Sequence, residues 1–396
     1  MKKDWTYKKL GEVCRIERGG SPRPIKDFIT NDAKGLNWIK IGDTDPQGKY
    51  IYSTKEKIKP EGLKKSRWVE EDEFLLSNSM SFGRPYILKT NGCIHDGWLV
   101  LRDYQKSLNV DFFYYALISP HVQNQFRTKA QGSTVSNLNT DRVSDVNIAF
   151  PSLSEQSRIV SRLDSAFAQI DALKANAEKQ LEEARKLFQA ELTETMKPKE
   201  GWEEIAFKKL CNFVRGPFGG SLKKSCFKPS GFAVYEQQHA IYNRFVFRYY
   251  IDEDKYNSMK RFSVKPGDLI MSCSGTIGKV AIIPQEAKEG IINQALLKLT
   301  PNKNLIDANY LKMLMESKYF GDIIDSYSDG AAIKNIASVS ILKEIVLAIP
   351  LLSEQQEIVS RLDALSANVK RLEELQQKTL KECDALKQAM LREVFE

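Results

Sequence analysis

Two stretches of the chain contain neither Pro nor Gly and carry a helical rhythm of apolar positions. From Ser154 to about Thr195, apolar side chains recur at Ile159, Leu163, Ala166, Ile170, Leu173, Ala177, Leu181, Ala184 and Phe188. Steps of three and four set them on one stripe of a helix. From Ser353 to near Phe395 the stripe is Ile358, Leu362, Leu365, Val369, Leu372, Gln376, Thr379, Cys383, Leu386 and Met390, a heptad-like seam with a few polar positions. Each pattern predicts a rod of roughly 40 residues, about 60 Å long at 1.5 Å per residue. A lone rod would expose its stripe, so each is expected to bury it against the other as a coiled coil. Ser154 is placed to cap the first rod, accepting an otherwise orphan amide of the first turn, and the second repeats the design from Ser353.

The segments before each rod have a different rhythm. Lys265-Pro266-Gly267-Asp268 reads as a turn and Leu269-Ile270-Met271-Ser272 as a short strand. The first half repeats this passage at an offset of 195, pairing Glu73 with Asp268, Ser77 with Ser272, Ser79 with Ser274, Gly83 with Gly278 and Ile87 with Ile282. Asp111 to Gln125 and Asp307 to Phe320 look helical. Each precedes a small-residue turn, Gln131-Gly132-Ser133-Thr134 or Asp329-Gly330-Ala331-Ala332, leading to Asn137 or Asn335. The rods themselves open on one phrase, PSLSEQSRIVSRLD from Pro151 and PLLSEQQEIVSRLD from Pro350, identical at 11 of 14 positions.

The pattern predicts an α+β chain of four parts: a globular domain at 1–150, a central spacer helix at 151–197, a second similar domain at 198–349 and a C-terminal spacer helix at 350–396. Lys197-Pro198-Lys199-Glu200-Gly201 breaks the first rod. The approximate equivalence of the halves favours antiparallel pairing, which would put the domains at opposite ends of a shared spacer.

Composition narrows the function. At 396 residues and 42% hydrophobic content the chain can build more than one core. It has no apolar run of membrane-spanning length and no apolar leader after Met1-Lys2-Lys3-Asp4-Trp5, so a cytoplasmic protein with no membrane partner is expected. The six cysteines form no close pairs, and only His95, His121 and His239 supply imidazole; no zinc spacing results, and neither a metal nor any other cofactor is expected. The net charge of +8 is unevenly placed. Residues 1–68 hold 17 Lys/Arg against 9 Asp/Glu, and residues 201–260 hold 10 against 6. Both halves therefore begin basic, as a polyanion reader requires.

Catalytic motifs do not assemble. Gly275-Thr276-Ile277-Gly278-Lys279 has two residues where a phosphate loop has four, and Val280 follows the lysine; it reads as a β-turn. His95-Asp96 has Ile292-Asn293 as its expected counterpart, and loss of both groups in one copy argues against shared catalysis. No dinucleotide fingerprint, Gly-x-Ser-x-Gly elbow or His-Glu-x-x-His helix is present.

Recognition chemistry remains. The polar run Arg127, Lys129, Gln131, Ser133 and Thr134 in the first half, and Lys223, Lys224, Lys228, Gln237 and Gln238 in the second, could hold phosphates and match base edges. Ordinary solvated loops are the plain alternative for any one of these. The candidates for spacer packing are Ile159, Leu163, Ile170, Leu173 and Leu181 with Ile358, Leu362, Leu365, Val369, Leu372 and Leu386.

Taken together, Pro151-Ser152-Leu153-Ser154-Glu155-Gln156 and Pro350-Leu351-Leu352-Ser353-Glu354-Gln355, each followed by Ile-Val and a long heptad-like helix, make the chain resemble the specificity subunit of type I restriction-modification enzymes over essentially its full length. The resemblance implies two target-recognition domains, each reading half of a bipartite site in double-stranded DNA, with the coiled coil fixing the gap. It implies no bond chemistry in the chain itself. The expected partners are two modification methyltransferase subunits, which methylate adenine, and restriction translocase/nuclease subunits. The rival reading is a coiled-coil scaffold with two protein-binding domains.

Overall fold

The computed structural model describes residues 2, 4–46, 48–78, 83–130, 138–274, 276, 278–326 and 339–396. The chain forms two compact units, Met1–Ala177 with Gln377–Glu396, and Glu178–Gln376. The turns expected at 131–134 and 329–332, with Asn137 and Asn335, lie outside the described residues. No helix among the described residues is long and apolar enough to cross a membrane.

In the first unit the strand Thr6–Lys9 pairs antiparallel with Asn147–Phe150, so the module's two ends meet just before Pro151. One sheet runs in the order Arg15–Arg18, Trp98–Arg102, Phe74–Ser77, Pro85–Leu88, Tyr50–Ile51, and the other Ile29–Thr30, Glu56–Ile58, Leu36–Ile39, Gly92–Ile94, Arg67–Val69. Phe74–Ser77 and Pro85–Leu88 are buried throughout, which is why they read as continuous apolar runs instead of alternating.

The second unit repeats the plan with fewer strands. Glu203–Ala206 closes on Val346–Ile349, just before Pro350. Its sheets run Cys211–Arg215, Leu296–Pro301, Leu269–Ser272, Val280–Ile282, and Tyr250–Ile251, Phe232–Tyr235, Gly290–Ile292. The expected offset of 195 is the register of the two hairpins: Phe74 faces Ile87 as Leu269 faces Ile282. The carboxylates of the passage also match, Glu73 accepting the Glu70 amide at 3.0 Å and Asp268 the Lys265 amide at 2.8 Å.

Each helix expected after the sheets is in fact two, Val110–Ile118 with Pro120–Ala130 and Ala308–Glu316 with Lys318–Ser326. Pro120 cannot continue a helix, but the second copy breaks without proline. The shared cause is a buried serine. The Ser119 hydroxyl donates to Ala116 O at 2.7 Å and accepts the Val122 amide at 3.4 Å; Ser317 donates to Leu314 O at 2.6 Å and accepts the Phe320 amide at 3.2 Å.

The two rods are Leu153–Thr195 and Leu352–Phe395. The first begins one residue before the expected cap: the Ser152 hydroxyl, not Ser154, lies 3.4 Å from the Glu155 amide. In the second copy Leu351 stands at that place, and its carbonyl accepts from the Gln355 amide at 3.0 Å. In the first unit, Arg162 meets Glu393 at 3.4 Å, Lys387 meets Asp171, and Lys174 meets Asp384 at 2.7 Å. In the second, Gln180 meets Gln376 at 3.1 Å, Arg185 meets Glu373 at 2.7 Å and Arg361 meets Glu191 at 3.4 Å. Residue numbers fall along one helix as they rise along the other, so the pairing within each unit is antiparallel.

Both cores use the helix ends. In the first unit Val160, Leu163, Leu391 and Phe395 join the core of the sheet and helices; in the second, Leu192, Met196, Ile358 and Leu362 do so. Ile170 is buried, Ile159 packs partly buried against the first core, and Leu181, Leu365, Val369 and Leu372 are half-buried. Leu173 and Leu386 correct the expected seam, because they are 57% and 51% exposed. Their places are taken by Lys174 and Lys387, whose side chains are only 24% and 20% exposed. From Ile170 and from Cys383 the buried stripe steps by four, not three, and long lysine stems cover apolar surface while their ammonium groups reach carboxylates across the seam.

Candidate nucleic-acid interface

In the first unit four segments leave the ends of neighbouring strands and meet. After Arg15–Arg18 the chain passes from one sheet to the other: Gly19 donates to Trp98 O at 2.9 Å and Gly20 to Ile94 O at 3.1 Å. A Cβ on Gly19 would lie 2.1 Å from His95 O, so only glycine fits this crossing. Asp96 is the knot. Its carboxylate accepts from the Ser21 hydroxyl at 2.7 Å and from Arg23 at 3.1 Å, while its carbonyl accepts from the Asn78 amide group at 2.8 Å and Arg18 Nε at 3.2 Å. The Ser21 hydroxyl, with its own turn's backbone and the charges of His95 and Arg23, holds this carboxyl below its ordinary value. His95 Nδ1 accepts the Gly97 amide at 2.7 Å, and burial pushes the imidazole's pKa down. Beside this knot opens a cavity of about 1020 Å³ lined by Arg23, Lys26, Lys40, Trp38 and His95 among others.

The second unit builds the same crossing from other side chains. Gly216 donates to Leu296 O at 2.9 Å, and a Cβ there would lie 1.9 Å from Asn293 O. Asn293 Oδ1 accepts the Ala295 amide at 3.0 Å, the bond His95 makes to Gly97. This corrects the expected alignment by one residue: His95 corresponds to Asn293, and Asp96 to Gln294. The histidine is a turn residue in a position asparagine also fills. His239, fully buried, accepts the Glu236 amide at 2.8 Å through Nδ1, and its Nε2 lies 3.0 Å from Val246 O.

The proposed DNA contacts fall into three groups. Arg127 is exposed on Pro120–Ala130 and bonds Asn124 at 2.8 Å; Lys223 and Lys224 are exposed. Others are engaged within the fold. Lys129 pairs with Asp145, whose carboxyl Lys129 and then Lys9 pull down to about 2. Lys228 lies 3.4 Å from Asp252. Gln237 is tied to Ser274, whose hydroxyl reaches its Oε1 at 3.0 Å, and Gln238 reaches Glu236 at 3.3 Å. Glu236 is itself clamped by Arg248 through two bonds of 2.8 Å. Gln131, Ser133 and Thr134 lie outside the described residues; Leu138 donates to Asn78 O at 2.9 Å.

Sequence reasoning passed over Arg23, Lys26 and Lys40 around the cavity, and Phe218, which is 92% exposed beside the second crossing. Arg18-Gly19 and Arg215-Gly216 were the available signal, a basic residue before a glycine at the same place in both halves.

Two α+β modules with paired crossings, each followed by a long helix, define a duplicated recognition protein. The family of type I restriction modification DNA specificity domains matches residues 2–183 and again 199–382, and the chain belongs to it. It is a component of sequence-specific DNA recognition in a restriction-modification complex. It is 21% identical to the type I restriction enzyme EcoBI specificity subunit of Escherichia coli, over 99% of this chain and 85% of that one. To the MjaVIII specificity subunit of Methanocaldococcus jannaschii it is 22% identical, over 89% and 88%. Among solved structures, a chain described for complex assembly and conformational transition of the type I R-M system aligns with a TM-score of 0.77 at 19% identity, covering 99% of this chain and 97% of the other. The HsdS subunit from Thermoanaerobacter tengcongensis aligns at 0.62 and 18% identity, over 100% and 97%.

Proposed function

We propose that this chain reads a bipartite site in double-stranded DNA, one module to each half, with the two long helices setting the gap. The functional parts are then 1–150 and 198–349 as readers, and 151–197 and 350–396 as spacers. The observation that carries this reading is one scaffold built twice with different loop chemistry: Asp96, Ser21 and Arg23 at one crossing, Gln294, Pro217 and Phe218 at the other. Sameness in the frame fixes how each module approaches a duplex, and difference in the loops gives each its own base-edge pattern. Helices of 43 and 44 residues, about 65 Å each at 1.5 Å per residue, exceed the roughly 34–36 Å of one DNA turn between half-sites.

In this reading the chain performs no bond chemistry and carries no cofactor. It holds two modification methyltransferase subunits on the DNA, and restriction translocase/nuclease subunits join the full complex in the cytoplasm. Genome-wide adenine-methylation mapping with the matching modification subunits, with and without this chain, tests it. A bipartite motif with a fixed gap that vanishes with the chain is expected. Methylation that persists unchanged without the chain, or a chain that binds no DNA even with those subunits, would instead support a protein-binding scaffold.

A further inference from the structure

Among the loops that differ between modules, one hairpin is closed by the same bonds twice. It joins Phe74–Ser77 to Pro85–Leu88 in the first unit and Leu269–Ser272 to Val280–Ile282 in the second. Gly83 and Gly278 both sit at φ +80°, a conformation that disfavours side chains. Gly83 donates to Ser77 O at 2.8 Å and Gly278 to Ser272 O at 2.9 Å. The next residue's amide then bonds the same serine hydroxyl, Arg84 to Ser77 Oγ at 3.2 Å and Lys279 to Ser272 Oγ at 3.0 Å. The ladder closes with Ser77 donating to Arg84 O at 3.1 Å and Ser272 to Lys279 O at 2.9 Å. Both serines are buried, so the backbone of Arg84 and of Lys279 is anchored to a fixed strand end, and in both units the anchored residue is a cation.

Several other cations near these loops are neutralised in place. Arg23 pairs with Asp96, Lys40 with Glu56, Lys129 with Asp145, Lys228 with Asp252 and Arg248 with Glu236. Among the described residues Arg84 and Lys279 have no such carboxylate. Arg84 lies over the Tyr86 ring at 5.4 Å, half-buried, and Lys279 is exposed. One further basic pair recurs, Arg18 and Arg215, but Arg18 is bonded to Asp96 O and Arg215 lies against the Cys273 thiol. Arg84 also borders a groove of about 880 Å³ that contains Arg127 and Arg392 with Glu396 as its one acid.

A residue that reads a base should differ between modules that read different half-sites. A residue that grips the sugar-phosphate backbone should not, because the backbone is the same under any sequence. We infer that Arg84 and Lys279 are the equivalent phosphate-gripping residues of the two modules, fixing each on its half-site without contributing to the letters read. The inference rests on the DNA-reading function proposed above and adds a division of labour to it.

The test uses the full chain assembled with its modification subunits, comparing wild type with Arg84→Gln, Lys279→Gln and the double variant. Binding to a duplex carrying the mapped site is followed across salt, and methylation motifs are mapped in parallel. Each phosphate contact contributes about 0.9 to the slope of log K against log salt, so each single variant should lower the slope by about 1 and the double by about 2. At about 0.1 M salt each loses on the order of tenfold in affinity, with both half-sites and the gap unchanged. The charge-keeping Arg84→Lys and Lys279→Arg should retain the wild-type slope. Wild-type slope and affinity in the Gln variants would overturn the inference while leaving the DNA-reading function intact. A changed letter in one half-site would overturn it in favour of base reading. Failure of the wild-type complex to bind DNA would overturn both.

Discussion

The glutamine in the repeated phrase does the same work in both modules. Gln156 is fully buried, accepts the Asn109 amide at 2.8 Å and donates to Ser107 O and Pro151 O, both at 2.9 Å. Gln355 accepts the Asp307 amide at 2.8 Å and donates to Leu305 O and Pro350 O at 2.9 Å. Asn109 and Asp307 are in turn the N-caps of the helices Val110–Ile118 and Ala308–Glu316. One amide side chain thus ties the first turn of each rod to the start of a helix in its own module. Gln156→Leu should leave a buried amide and two carbonyls without partners, at about 1–3 kcal/mol for each group left unpaired. Hydrogen exchange should show the Asn109 amide opening at least roughly tenfold faster, with Asp307 unaffected; unchanged protection at Asn109 would refute the anchoring role. The repetition of this glutamine was legible in the sequence. Its role was not, because its partners at 107, 109 and 151 converge only in the folded module. The same holds for Arg162 and Arg361, identical in the phrase, which reach Glu393 and Glu191 on the facing helix.

At the scale of elements, the apolar rhythm located both rods and their partners but misjudged their phase in two places. A helix of 3.6 residues per turn lets the stripe advance by three or four, and apolarity alone chose Leu173 and Leu386. The structure chose Lys174 and Lys387, whose stems are as useful as leucine at a narrow seam and whose charges find Asp384 and Asp171. Stability should divide along this line. Leu163→Ala and Leu362→Ala, at positions 1% and 0% exposed, should each cost about 2–5 kcal/mol. Leu173→Ala and Leu386→Ala should stay within about 0.5 kcal/mol. Urea unfolding distinguishes the groups, and comparable losses at all four positions would restore the leucine seam. The cross-seam ion pairs are largely exposed and contribute orientation more than stability. The broken helix pairs teach a similar lesson: Asp111 to Gln125 and Asp307 to Phe320 each read as one helix even across Pro120, and at Ser317 the break comes from a hydroxyl bridging two helices, which no sequence pattern marks.

Across the whole molecule, duplication was the legible fact, from the repeated phrase to the offset of 195 that became hairpin register. The candidate surface was less legible, since a lysine or glutamine in a loop looks equally available whether or not a neighbour holds it. Lys129, Lys228 and Gln237 each have such a neighbour, whereas Arg84 and Lys279 stand at equivalent places and, among the described residues, pair with no carboxylate. If the rods set the gap, inserting about four residues into each, near Leu181 and Leu380, adds roughly 6 Å of helix. Methylation mapping should then show a longer gap with both half-sites intact, and altered half-sites with the old gap would contradict the spacer role. The central claim is that the two modules read independently. Its most direct measurement is the methylation map of a chain altered only at the first crossing, with Arg23 and Lys26 replaced by Ala. One half-site should relax or disappear, while the other half keeps its letters and distance. A map in which both halves change together, or neither does, would contradict the claim.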